Sequence, residues 1–183
     1  MIASISRTVF AAITLLTAVC AASTAASQTY TRPLPDGRTV TLPTTLAGCE
    51  KITEEDSPAV SLQIRFTCAA ATASHVDIVV ISVETRFTPM TLLETQAQTW
   101  WPDFASWPAE QKATFFRRQT KTLAGGGTAT FHCIYRDNID ALNGDAACVL
   151  DTPQAQMLVE AQSTMASTAD DLIDAILART VLR

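Results

Sequence analysis

The sequence predicts an α+β fold: an antiparallel sheet of about five to six strands packed with helices. Three observations carry that reading. Residues 61–68 (SLQIRFTC) alternate strictly, with Leu62, Ile64, Phe66 and Cys68 on one face and Ser61, Gln63, Arg65 and Thr67 on the other. One dry and one wet face is the pattern of an antiparallel sheet. Residues 169–182 place Ala169, Leu172, Ile173, Ile176, Leu177 and Thr180 on a single helical stripe. The order of elements is strands, helices, strands and a closing helix.

The elements follow in order. Residues 1–27 read as a secretory leader: Arg7 is the basic start, 9–19 (VFAAITLLTAV) an apolar stretch too short to span a bilayer, and Ala25, Ala26 and Ser27 small residues before a cut at Gln28. Cys20 sits inside this leader after Thr17, Ala18 and Val19, a poor context for lipidation, so its removal with the leader is expected. Residues 28–183 then form one domain. Segments 29–34 and 38–42 flank Pro35-Asp36-Gly37 as a hairpin, since Pro presets the turn and Gly accepts positive φ. Residues 43–57 read as a polar connection, with Glu54-Glu55-Asp56 as a solvated loop.

Strand 61–68 pairs with 75–87 (HVDIVVISVETRF), dense enough in Val and Ile to lie centrally. Thr91 and Glu94 form a capping box for a helix carrying Leu93, Ala97, Trp100 and Phe104, which Pro102 interrupts. A second helix starts at Pro108 and runs to about Lys121, ended by Gly125-Gly126-Gly127. Strands 128–136, 146–151 and 155–161 follow. The last helix has Thr168 and Asp171 as its capping box, acids early and Arg179 and Arg183 late, in agreement with the helix dipole.

Export makes the four remaining cysteines disulfide halves before anything reactive. Three connectivities exist, and the sequence-near one, Cys49–Cys68 and Cys133–Cys148, is expected. A hairpin register centred between Asp140 and Ala141 sets Cys133 opposite Cys148, at a separation that suits a disulfide. No CxxC motif is present, and the cysteine and histidine spacings miss the usual zinc patterns, so neither a metal nor another cofactor is expected.

Two segments, 39–43 (TVTLP) near the start and MLVEAQ with ADDLIDAILART at the end, make the chain similar in element order to the PsbP-like and DcrB-like sandwich proteins. That resemblance implies a sheet-and-helix sandwich and a noncatalytic accessory or binding role, and carries over no functional residue.

Charge excludes one class of partner. The chain has 13 basic against 18 acidic residues, and loss of Arg7 makes the mature domain more acidic still, which disfavours nucleic acid. No stretch after Val19 is long and apolar enough to cross a membrane as a helix. No catalytic signature assembles: G-x-S-x-G is absent, His75 heads a strand from a polar turn, and His132 beside Cys133 on the outer sheet face reads as structural. Asp103, between Trp101 and Phe104, is the acid of most interest for a glycosidase-type reaction.

The segment 100–116 (WWPDFASWPAEQKATFF) holds six of the twelve aromatic residues, so it should dominate helix–sheet packing. Trp101 and Trp107, on its less buried side, are the candidates to line a groove, and Arg117, Arg118 and Lys121 follow as a basic cluster able to receive an anionic group. The expectation is a noncatalytic periplasmic or secreted binding or accessory protein, its partner another periplasmic protein or an envelope ligand. The alternatives are a peptidoglycan hydrolase using Asp103 or His132, and a periplasmic immunity or inhibitor protein.

Overall fold

Ten strands and three helices make up the described residues, which in this computed structural model are 29–57, 61–68, 74–138 and 142–183. The leader with Cys20, the cut at Gln28, the turn at 69–73 and the hairpin tip at 139–141 lie outside them. In chain order come β1 (Thr29–Pro33), β2 (Thr39–Pro43), β3 (Cys49–Ser57), β4 (Ser61–Cys68) and β5 (Ser74–Ile81). Helix α1 (Pro89–Trp100), a 3₁₀ turn (Phe104–Ser106) and α2 (Ala109–Ala113) follow. Then come β6 (Arg117–Thr122), β7 (Thr128–Asn138), β8 (Asn143–Leu150), β9 (Met157–Ser163), α3 (Ala166–Leu177) and β10 (Val181–Leu182).

The strands build two antiparallel sheets, one of seven strands in the order β3-β4-β5-β9-β8-β7-β6 and one of three in the order β1-β2-β10. This corrects the expected α+β fold of five or six strands packed with helices. The molecule is sheet-rich and its helices are short. The reason lies at the margins. β3 (CEKITEEDS) and β6 (RRQTKT) are edge strands exposed on both faces for most of their length, so neither shows the apolar alternation of a half-buried strand. One read as a loop and the other as the tail of a helix. The second helix stops at Ala113 instead of Lys121, and β10 takes residues expected to be helical.

The inner face of the large sheet supplies Leu62, Ile64, Phe66, Val76, Ile78, Val80, Met157 and Val159 to the main core. It is closed by Val40 and Leu42 of the small sheet and by Ala169, Ile173, Ile176 and Leu177 of α3. A second core on the outer face joins Leu93, Ala97 and Phe104 to Ile134, Ala147 and Val149 of β7 and β8.

Helix starts are set by side chains outside the expected boxes. Thr88 Oγ1 accepts the N–H of Thr91 at 3.1 Å with Pro89 opening α1, one turn before the Thr91–Glu94 box. For α3, the Ala166 N–H donates to Asp137 Oδ1 at 2.7 Å, so a carboxylate of β7 caps the helix in place of Thr168.

Disulfides join Cys49 to Cys68 and Cys133 to Cys148. In each pair the two residues stand directly opposite on neighbouring strands, β3–β4 and β7–β8. Replacing Cys49 and Cys68 together with alanine is expected to lower the unfolding free energy by about 2 kcal/mol. β3 has β4 as its one strand neighbour, so hydrogen exchange should quicken in β3 far more than in β7 and β8. Equal protection across the sheet in the variant would contradict this.

Candidate functional site

The aromatic segment occupies the outer face over β7 and β8. Pro102 cannot donate to the helix, so α1 ends at Trp100 and is capped by Trp101, whose N–H still reaches Ala97 O at 2.8 Å. The 3₁₀ turn then closes through Trp107 N–H to Phe104 O at 3.1 Å, folding the rings back on each other. Trp101 lies 5.7 Å from Trp107 and 5.2 Å from Phe115, and Trp107 lies 5.1 Å from both Phe104 and Phe115 between ring centroids. Of the six rings only Phe104 is fully buried; Trp100, Trp101, Trp107, Phe115 and Phe116 are half-buried. Lys112 Nζ ties the turn by donating to Ala105 O at 2.8 Å and sits 5.5 Å above the Phe104 ring.

Asp103 has a structural partner here. Its Oδ2 accepts the indole N–H of Trp107 at 3.0 Å, which fixes the ring's orientation.

The basic cluster does not stay together. Because 117–122 is a strand, successive side chains alternate between faces. Arg117, opposite Cys133, points to the inner side and lies 5.8 Å over the Tyr135 ring. Arg118, opposite His132, points to the outer side and donates twice to Asp151 Oδ2, at 2.9 and 2.7 Å. Lys121 is buried and holds Asp170 at 2.6 Å and Asp174 at 3.0 Å. Of the predicted binding residues, Trp101, Trp107 and Arg118 therefore share the outer face, and Arg117 does not.

His132 Nε2 stands 3.1 Å from Asp151 Oδ1. The Arg118 guanidinium, and then His132, hold the Asp151 carboxyl below the usual carboxylate range against the opposing effect of burial. A histidine–aspartate pair is two thirds of a hydrolase triad, yet the carboxylate here is shared with an arginine.

Sequence reasoning missed a row of charges crossing the outer face beside α1. Arg65 on β4 donates to Asp77 on β5 through two bonds of 2.7 and 2.6 Å, and Glu160 on β9 stands directly opposite Asp77. One step along, Arg136 on β7 grips Asp145 on β8, which also accepts from Gln162 on β9 at 2.9 Å, and Gln162 stands opposite His75. Arg136 further donates to Trp100 O at 2.9 Å and lies 5.5 Å over the Trp100 ring, so the charged row and the aromatic segment are one continuous structure. Gln96 of α1 donates to the Glu160 carboxylate.

Burial first, then the Asp77 and Asp145 carboxylates, push Glu160 up to about 7, with Arg65 opposing. The row thus sets two guanidiniums against three carboxyls, of which Glu160 holds its proton well above the ordinary carboxylate range. Asp77 was the legible signal: an acid inside the apolar run HVDIVVI must find a cation if that strand is central.

Among the described residues no group of three or more His, Cys, Asp or Glu is placed to hold a metal ion, and no helix is long and apolar enough to cross a membrane. Compared with known proteins, the chain matches no family model and no curated protein.

Proposed function

We propose that this chain is an exported, noncatalytic binding or accessory protein that docks a partner on its outer aromatic segment, with Arg118 at the margin. One observation carries the reading: five of the six rings in the segment keep part of their surface open to solvent while the segment packs on the second core, and Trp101, Trp107 and Phe115 touch one another. Large, rigid, partly exposed aromatics beside an arginine supply contact area at low entropic cost, the usual makeup of a binding hot spot. The two disulfides fit a protein working in an oxidising compartment, and the leader read from residues 1–27 would deliver it there. The likeness in element order to the PsbP-like and DcrB-like proteins, whose members are mostly noncatalytic, belongs to the same proposal. In the alternative hydrolase reading, which would use Asp103 or His132, Asp103 would have to act while its Oδ2 accepts the Trp107 indole N–H.

The test uses the mature protein with its disulfides intact, immobilised against extract of its host's envelope. Trp107→Ala and Arg118→Ala should each weaken retention of the captured partner by about tenfold or more, the loss of a hot-spot contact. Arg117→Ala, on the opposite face, should leave retention unchanged. Equal retention by all three variants, each folded by circular dichroism, would remove the outer face from consideration.

A further inference from the structure

The seven-stranded sheet ends in two edges of opposite charge. β6 (RRQTKT) carries three cations and no acid, and β3 (CEKITEEDS) carries four acids and one lysine. Several of these charges are already answered within the molecule: Arg118 by Asp151, Lys121 by Asp170 and Asp174, Glu54 by Lys51 and Asp56 by Arg32. Three are not. Among the described residues Arg117 is exposed and meets only the Tyr135 ring, and Glu50 and Glu55 are exposed and form no ion pair.

The backbones of both edges are free as well. The Asp151 N–H donates to Thr130 O at 2.9 Å, so Thr130 bonds toward β8, and its β6 partner Thr120 turns its N–H and C=O away from the sheet. Alternation gives Arg118 and Thr122 the same outward direction. At the other edge the Ile81 N–H donates to Gln156 O at 2.8 Å on the β9 side. The same alternation, carried across β5 and β4, leaves Glu54 and Asp56 facing away from β4. Among the described residues no backbone group of 50–57 or 117–122 has a backbone partner beyond the ladder.

An unpaired edge is a template for another strand, and charge decides which one. Charges of one sign at both edges would keep copies apart, but these edges attract each other and each repels itself. β6 against β6 sets arginines together, and β3 against β3 sets carboxylates together. We propose that β6 of one molecule pairs with β3 of a second copy of this chain. The complementary register is antiparallel, with Arg118 opposite Glu54 and Arg117 opposite Glu55 of the second copy. The backbone phases agree. Arg118 and Glu54 both turn their N–H and C=O outward and can exchange hydrogen bonds, whereas Arg117 and Glu55 form the intervening pair, whose side chains lie closer. Opposed residues share a face, so the second copy is turned over, its outer face continuing the inner face of the first. In this register Ile52, 51 % exposed at the β3 bulge, comes opposite Thr120. Such a contact joins unlike surfaces and leaves one edge free at each end, so growth is linear and open. Trp101 and Trp107 take no part in it.

Sedimentation velocity of the mature, disulfide-intact protein over a range of concentrations at low salt is the test. The wild type should gain mass continuously with concentration, and added salt should reverse the gain. Arg117→Glu and Glu55→Lys should each lower the association constant by about tenfold or more, since each sets like charges in the contact. An equimolar mixture of the two variants should recover the wild-type behaviour, because each restores the other's opposed pair. Thr120→Pro removes an outward N–H that β7 does not use, and should abolish association while circular dichroism stays native. Should that variant unfold, the mixture alone decides. Trp107→Ala should associate like wild type, which separates this contact from the docking surface proposed above. A wild type that stays monomeric, a mass that levels off at the dimer, or a mixture no better than its two components would each overturn the proposal. So would full association by a folded Thr120→Pro, or its loss in Trp107→Ala.

Discussion

Replacing Gly144 with alanine is expected to cost at least about 3 kcal/mol of stability, because the added methyl has nowhere to go. Gly144 lies on β8, between Asp137 of β7 and Ser163 of β9. A Cβ built there would stand 1.9 Å from Ala166 N, 2.0 Å from Met165 C and 2.5 Å from Met165 Cα, all of them backbone atoms. None of these can swing aside as a side-chain tip would. The Ala166 N–H is held by Asp137, and the chain before it is paired through Ser163. Relief therefore requires α3 to lift from the sheet, loosening Ala169, Ile173, Ile176 and Leu177 against the main core. Gly127→Ala is the matched control. Its Cβ would meet Ala124 O at 3.7 Å and Leu123 Cβ at 3.8 Å, with φ at −64°, so the change should be neutral or stabilise by up to about 1 kcal/mol. Urea unfolding of both variants with disulfides intact provides the comparison. A Gly144→Ala midpoint within error of wild type would show that the close approach of α3 to β8 is wrong.

Most interior strands were legible because burial had written itself into their alternation. β4 spans the residues its pattern marks, and the register of β7 on β8 is the one centred between Asp140 and Ala141 that sets Cys133 opposite Cys148. The edge strands were not legible, for a physical reason. A strand with a wet face on both sides and one paired neighbour is under no pressure to alternate, so CEKITEEDS looks like loop and RRQTKT like the solvated end of a helix. Helix caps failed for another reason. The Thr168–Asp171 box is sound local chemistry, but a carboxylate distant in sequence, Asp137, reaches the start of α3 first.

The site shows the same division. Trp101 and Trp107 were visible through composition, and a strand in place of a helix decided which arginine joins them, since alternation sends Arg117 inward and Arg118 outward. Of the charged row beside α1 only Asp77 left a mark in the sequence, because its members come from six elements: Arg65, Asp77, Gln96, Arg136, Asp145 and Glu160 meet only once the sheet order β4-β5-β9-β8-β7 is known. Spacing along the chain does not reveal which cation such a buried acid meets.

That row sets the second large prediction, a loss of stability as pH rises toward neutrality. Facing Glu160 are Asp77 from β5, Asp145 from β8, Arg65 from β4 and the amide of Gln96 from α1. Burial and the two neighbouring carboxylates lift its carboxyl from the ordinary 4.5 to about 7. The sign follows from which state holds the proton. Between those two values the unfolded chain has released it and the folded protein keeps it, so folding takes up a proton and stability falls with increasing pH. The penalty is absent below about pH 4.5, accumulates through the interval, and above pH 7 reaches about 3 kcal/mol, at 1.36 kcal/mol per unit. Asp36, Glu54 and Asp151 act oppositely, each held low by a cationic partner, so their contribution is present above the ordinary carboxylate range and lost as pH falls through it. The wild-type curve should therefore peak on the acid side of neutrality. Glu160→Gln keeps a polar partner for Gln96 and cannot ionise. Against wild type it should be indistinguishable near pH 4.5 and more stable by about 3 kcal/mol at pH 8, measured by urea unfolding at each pH with an unchanged slope. A difference between the two proteins that stays flat from pH 4 to 8 would mean that Glu160 ionises like an exposed carboxylate and that the charged row is open to water.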